Sequence, residues 1–129
     1  MRPPKSTLTG QELEIMKQVW RLESATVRQV YEALLEHRRI AYTTVMTMMN
    51  ILEQKGFLKK RQDDRAYVYS PAQPQKQVVG SMVREFVNRV FNGSAEPLLL
   101  HLVEDRHLTE KDLDELRKSI RSSRKGKPE

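Results

Sequence analysis

Apolar residues recur along this chain at two different periods, and the change of period marks its parts. From Gly10 to about Trp20, the residues Leu13, Ile15, Met16, Val19 and Trp20 share one helical stripe. From Thr26 to about Glu36 a second stripe is formed by Val27, Val30, Tyr31 and Leu34 or Leu35. Both stretches open on a capping signature, Thr9 with Glu12 and Thr26 with Gln29. In each, the hydroxyl accepts a first-turn N–H while the residue three on reaches back to the threonine N–H. A third helix is predicted from Tyr42 to about Lys55, ending at Gly56, with Val45, Met48, Met49 and Leu52 on its apolar face. After Gly56 the period drops to two. Phe57 to Arg61 and Ala66 to Ser70 read as strands of a hairpin around a charged tip, Gln62-Asp63-Asp64-Arg65. Three helices followed by a hairpin describe a winged helix-turn-helix, so the expected fold is mostly α with a small β-hairpin.

Pro71 and Pro74 then interrupt the pattern, and a domain boundary is placed there: residues 1–72 as the winged helix, 73–120 as a helical domain and 121–129 as a disordered basic tail. From Gln75 to Phe91, Val78, Met82, Phe86 and Val90 recur every four residues beside Val79, Val83, Val87 and Phe91. A helix beyond the prolines is expected to lie too far from the first core to pack on it. Leaving these eight side chains in water would forfeit on the order of 10 to 20 kcal/mol. A second copy of the chain is the simplest cover. Asn92-Gly93-Ser94 breaks that helix, Glu96 to Glu104 forms a short one around Leu98, Leu99, Leu100, Leu102 and Val103, and Thr109 to about Ile120 forms the last. The homodimer contacts are assigned to the eight residues above together with Leu98, Leu99 and Leu102.

The net charge of +6 over 129 residues favours a polyanionic partner. Residues 1–72 hold 12 basic and 8 acidic side chains, and the other basic stretch is the extreme C-terminus. The chain has no cysteine, which removes disulfides, thiolate nucleophiles and iron–sulfur clusters. His37, His101 and His107 make no ligand spacing, so neither a metal nor another cofactor is expected. Five glycines without a phosphate loop, and no paired carboxylates in a cleft, argue against an enzyme; Asp63-Asp64 is a turn former first. Without an apolar run of about 18 residues or a signal segment, a cytoplasmic protein with no membrane association is expected.

The outer face of the third helix is small and uncharged. It carries Thr43, Met46, Thr47 and Asn50, with Thr44 at its edge. Such side chains suit the major groove: Asn50 can pair bidentately with adenine, and Met46 can touch a thymine methyl. Arg38, Arg39, Lys59, Lys60, Arg61 and Arg65 flank this helix and can hold phosphates. Taken one at a time, a methionine is by default core, helix-start threonines are caps, and a basic strand is a solvated edge. It is their order along the chain that points to double-stranded DNA, at an A·T-rich half-site. Aromatic content of 6% leaves few platforms for single-stranded RNA. A winged helix for another operator, or for a protein partner, remains the alternative.

Residues from about Leu8 to Ile120 resemble the penicillinase repressor family, the BlaI/MecI type, to which copper-responsive repressors are related. The resemblance is carried by Leu8-Thr9-Gly10-Gln11-Glu12-Leu13-Glu14-Ile15-Met16, Thr26-Val27-Arg28-Gln29-Val30-Tyr31, Ala41-Tyr42-Thr43-Thr44-Val45-Met46-Thr47, Leu52-Glu53-Gln54-Lys55-Gly56-Phe57-Leu58 and Leu113-Asp114-Glu115-Leu116. It implies a homodimeric repressor of beta-lactam-resistance or related genes on palindromic operators with TACA and TGTA half-sites. It also implies release when a membrane-bound sensor protease pathway leads to a cut in the dimerisation region, which abolishes the avidity of paired half-site readers. The family's cleaved Asn-Phe bond matches His101-Leu102 here. That departure leaves regulation with or without cleavage open. The cysteine-bearing tail of the copper-responsive branch is missing.

Overall fold

The computed structural model describes residues 8–126, in which six helices and one hairpin follow in the order α1 (Gly10–Leu22), α2 (Val27–Leu35), α3 (Tyr42–Gln54), β1 (Leu58–Asp63), β2 (Ala66–Pro71), α4 (Gln75–Phe91), α5 (Glu96–Glu104) and α6 (Glu110–Gly126). Both sequence-predicted capping boxes are formed. Glu12 N–H donates to Thr9 Oγ1 at 3.1 Å and Thr9 N–H to Glu12 Oε1 at 2.8 Å; Gln29 and Thr26 repeat the exchange at 3.2 and 2.8 Å. These bonds satisfy N–H groups that a helix start leaves without partners, which is why α1 and α2 begin where they do.

The inward stripes of α1, α2 and α3 meet in one core, where Ile15, Met16, Val19, Val30, Val45, Met49 and Leu52 are fully buried. Leu34 is the buried member of its pair and Leu35 the exposed one. The hairpin closes one side of this core through Leu58 and Tyr69. β1 and β2 pair antiparallel from Leu58↔Pro71 to Asp63↔Ala66, so the strands run further than the alternation alone suggests and the tip is reduced to Asp64-Arg65. Asp64 takes a φ of 59°, a left-handed turn conformation that aspartate tolerates better than most side chains. Tyr69 also exchanges two backbone hydrogen bonds with Ala25, at 2.8 and 2.9 Å, so the segment between α1 and α2 joins the edge of the wing.

Two further links tie elements distant in sequence. Trp20 Nε1 donates to the Gln73 carbonyl at 3.0 Å, fastening the start of α4 to α1. Buried Glu12 accepts from Lys55 Nζ at 2.8 Å, fastening the end of α3 to the start of α1. Burial pushes the Glu12 carboxyl up, but the Lys55 hydrogen bond and charge and the Thr9 N–H outweigh it, leaving the group below the usual carboxylate range.

The chain divides into two units between Val83 and Arg84, inside α4 and not at the prolines. The expectation that all of α4 lies beyond the first core is therefore corrected: Val78 is buried in that core and Met82 packs against it. Pro74 starts a helix here without ending the domain, and Val78 N–H bonds its carbonyl at 3.1 Å. The second unit is built differently. None of its side chains between residues 84 and 123 is buried, and Phe86, Val90, Leu99, Leu100, Val103, Leu113, Leu116 and Ile120 are exposed. Within it, Phe91 stands edge-on to Phe86 and tilted to His101, at 5.8 and 5.9 Å between ring centres. Thr109 and Asp112 cap α6 reciprocally at 3.0 and 3.2 Å. α6 continues to Gly126, so residues 121–126 are helical where a disordered tail was expected; residues 127–129 lie outside the described residues. The good helix formers Arg and Lys carry the helix past its last apolar residue. No helix of the described residues is long and apolar enough to cross a membrane.

Candidate nucleic-acid interface

With Val45, Met49 and Leu52 fixed in the core, the helical period turns Thr43, Met46 and Thr47 outward, and all three are exposed. Met46 is 39% exposed on a helix whose neighbours Val45 and Met49 are at 0%, so it is not a core residue. Thr44 and Asn50 are half-buried. α3 has Ala41 at its N-cap and no side-chain cap there, so its threonines are not engaged as N-caps. This leaves hydroxyls and a thioether on an uncharged face, chemistry that can meet base edges and a thymine methyl.

Asn50 is placed differently from the free reader that the sequence suggests. Its Oδ1 accepts the Tyr69 hydroxyl at 2.8 Å and lies 3.5 Å from Lys60 Nζ. Lysine can only donate, which fixes the oxygen on that side. Burial, with Glu53 adding to it, pushes the Tyr69 phenol up, so it stays a donor. Bidentate pairing with adenine needs that same oxygen as its acceptor, so in this arrangement Asn50 joins helix to wing.

The basic residues also divide. In a strand, side chains alternate between faces, so Lys60, opposite Tyr69, shares the face of Leu58, while Lys59 and Arg61 point the other way. Lys60 Nζ stands 4.7 Å from the centre of the Tyr67 ring. Arg61 approaches Asp63 at 3.6 Å, a solvated pair of small energetic weight. Arg38 is held against Glu14, with Nη2 at 3.1 Å and Nε at 3.2 Å, and is committed to bracing α1 rather than facing outward as a free cation. Arg39 and Arg65 are exposed.

Between the start of α2, the outer side of α3 and the wing runs an open groove of about 600 Å³, lined by Thr26, Val27, Arg28, Tyr42, Met46, Asn50, Lys60, Arg65, Ala66, Tyr67 and Tyr69. It brings together Met46, Asn50, Lys60 and Arg65 from the expected set; Thr43, Thr44, Thr47, Arg38, Arg39, Lys59 and Arg61 are not among its lining. Arg28, Tyr42 and Tyr67 were missed by sequence reasoning. Arg28 lies 5.3 Å over the Tyr42 ring and pairs loosely with Glu32 at 3.7 Å. Its signal was available: with Val27, Val30, Tyr31 and Leu34 turned inward, Arg28 must point out of α2's first turn. No sequence pattern, however, shows which ring lies beneath it. Three cations around Met46 in one groove, with Thr43 and Thr47 exposed on the same helix outside it, suit a polyanion that also presents bases.

Comparison with known proteins follows the same line. The family model described as Penicillinase repressor matches residues 8–122. The chain is 41% identical over 95 residues to the transcriptional regulator BlaI of Mycobacterium tuberculosis, covering 72% of this chain and 69% of that protein. It is 26% identical over 122 residues to the penicillinase repressor of Bacillus licheniformis, covering 95% of each. Among solved structures, the monomeric form of Bacillus licheniformis BlaI in complex with the blaP half-operator superposes with a TM-score of 0.50 at 28% identity, over 59% of this chain and 92% of that one. With its winged-helix architecture and a match that runs from the first helix to the last, this chain belongs to the penicillinase repressor family.

Proposed function

We propose that the protein is a homodimeric transcriptional repressor that reads double-stranded DNA, one half-site of a palindrome per protomer. The observation that carries the reading is the exposed, uncharged face of α3, Thr43, Met46 and Thr47, set beside a groove rimmed by Arg28, Lys60 and Arg65. Membership in the penicillinase repressor family supports it, as does the likeness to a BlaI bound to a half-operator. α3 enters the major groove with its outer residues toward the bases, and the wing and the exposed Arg39 meet the backbone. Half-sites of the TACA and TGTA type, in front of beta-lactam-resistance or related genes, are the operators this reading assigns.

The dimer half of the proposal rests on the second unit. A segment with no buried side chain between residues 84 and 123 does not stabilise itself, and a second copy covering Phe86, Val90 and Leu99 removes part of its exposed apolar surface from water. Val79, Val83, Phe86, Val87, Val90, Phe91, Leu98, Leu99 and Leu102 form the contact; Val78 and Met82, packed into their own core, drop out. Release follows from a signal-dependent cut in α5 between His101 and Leu102, in a pathway fed by a membrane sensor protease. That cut separates α4 from α6 and with them the pairing that makes two weak half-site readers bind as one.

The test is a titration of the full chain on a duplex carrying a TACA/TGTA palindrome and on a scrambled duplex, at two salt concentrations. A preference of about a thousandfold or more is the expected result, in the range of specific binders. Equal affinity for both refutes the assigned operator.

A further inference from the structure

The groove beside α3 has two walls, and each presents a cation already resting on a tyrosine. On the α2 wall Arg28 lies 5.3 Å over Tyr42, whose ring is itself braced edge-on by Tyr31 at 5.4 Å. On the wing wall Lys60 lies 4.7 Å from the Tyr67 ring, with Asn50 Oδ1 at 3.5 Å, at the limit of hydrogen bonding. Asn50 is held in turn by the buried Tyr69 hydroxyl at 2.8 Å. Long basic side chains normally spend rotamer entropy when they are fixed on a ligand, and a cation over an aromatic face has lost part of that freedom beforehand. Among the described residues neither cation has a close, buried acid to neutralise it: Arg28 pairs there with the solvated Glu32 at 3.7 Å, and Lys60 faces a ring and an amide oxygen. Two pre-set cations with open coordination, facing one groove, fit the repeated negative charge of a single nucleic-acid strand.

From this geometry we infer that the groove seats the sugar-phosphate backbone of one DNA strand, gripped by Arg28 from α2 and Lys60 from the wing, with Asn50 as the positioning residue for Lys60 and not a reader of bases. The inference rests on the DNA-binding reading above and assigns roles within it. Base discrimination then falls to Thr43, Met46 and Thr47, and the wing is fixed to α3 through Tyr69–Asn50. A phosphate grip shows itself in salt dependence, because each neutralised phosphate releases counterions and contributes about 0.9 to the slope of log K against log salt. A base reader shows itself in the ratio of operator to scrambled affinity, with that slope unchanged.

The experiment is the salt-dependent titration of the full chain on both duplexes, for the wild type, Arg28→Gln, Asn50→Ala, Tyr69→Phe and the Asn50→Ala/Tyr69→Phe pair. Arg28→Gln is expected to flatten the slope by about 0.9 and to weaken both duplexes alike. Asn50→Ala and Tyr69→Phe are each expected to flatten it by up to that amount with the operator ratio kept, and the pair to do no more than the stronger single change, as members of one strut do. An Asn50→Ala protein that loses affinity on the operator alone, with its slope intact, overturns the positioning role. An Arg28→Gln protein with an unchanged slope overturns the two-walled seat, and this exposed residue keeps the inference open to refutation if Tyr69→Phe fails to fold. A wild-type chain that binds neither duplex overturns the DNA reading and the inference together; wild-type binding with all four variants unchanged overturns the inference alone.

Discussion

Truncation of Phe86 tests the dimer through a quantity that the structure supplies. Phe86 is 40% exposed in the single chain, its remaining surface lying in contact within its own protomer, Phe91 included. A phenylalanine presents on the order of 200 Å², so roughly 80 Å² is left for a partner to cover. At about 25 cal/mol per Å² this is about 2 kcal/mol. The contact is two-fold symmetric, so every substitution counts twice, and Phe86→Ala is expected to weaken dimerisation by at most about 4 kcal/mol, about a thousandfold in the dissociation constant. Phe86→Asp adds the desolvation of two like charges and exceeds that figure. Sedimentation equilibrium over a range of protein concentrations gives the constant directly. The first unit should keep its fold, because its core is complete without Phe86. Operator affinity should fall with the dimer while affinity for an isolated half-site stays the same. A Phe86→Asp protein that sediments as a dimer with the wild-type constant refutes the assignment of this face.

Other changes probe the reader and its scaffold. Thr47→Val should cost about 1 to 3 kcal/mol on the operator and little on scrambled DNA, since it exchanges only a hydroxyl at an exposed position of α3; an equal loss on both removes it from base contact. Arg38→Ala should leave the salt slope unchanged, because its guanidinium is engaged by Glu14 at 3.1 Å, whereas a slope flattened by about one unit would return it to the phosphate contacts. Glu12→Gln should destabilise the fold by about 1 to 2 kcal/mol near neutral pH, read from urea midpoints, because the charged acceptor of Lys55 is lost. The folded-state carboxyl lies below its ordinary range, so its stabilisation is complete above the unfolded value of about 4.3 and fades as pH falls through the folded value. The gap between wild type and Glu12→Gln should therefore shrink on acidification; a gap constant with pH contradicts the ion pair.

Local rules account for much of what the sequence made legible. The N-caps of α1 and α2, Thr9 and Thr26, lie three residues from the glutamate or glutamine that completes each capping box, and such bonds form within one turn whatever surrounds them. The outer face of α3 was equally plain, because the helical period fixes where Thr43, Met46 and Thr47 point once Val45, Met49 and Leu52 are inside. The helix of residues 121–126 was not, since with no apolar residue to continue the stripe only modest propensity marked it. The end of the first unit was misplaced for a related reason: prolines report on backbone angles, whereas the boundary was set by Val78 and Met82 reaching a core assembled from all three N-terminal helices and the hairpin.

By itself, then, the sequence determined the kind and order of the elements, the inward face of each, and a recognition helix with an uncharged outer side. Periodicity and capping are properties of neighbours in the chain. Only the tertiary structure decided which polar groups are free. Arg38 is taken by Glu14 from another helix, Asn50 by Tyr69 from the wing, and Arg28 finds Tyr42 beneath it across the turn between α2 and α3. Those partners lie 24, 19 and 14 residues apart in the chain, so their meeting depends on how helices and wing pack, a matter of three-dimensional closure that no local pattern encodes.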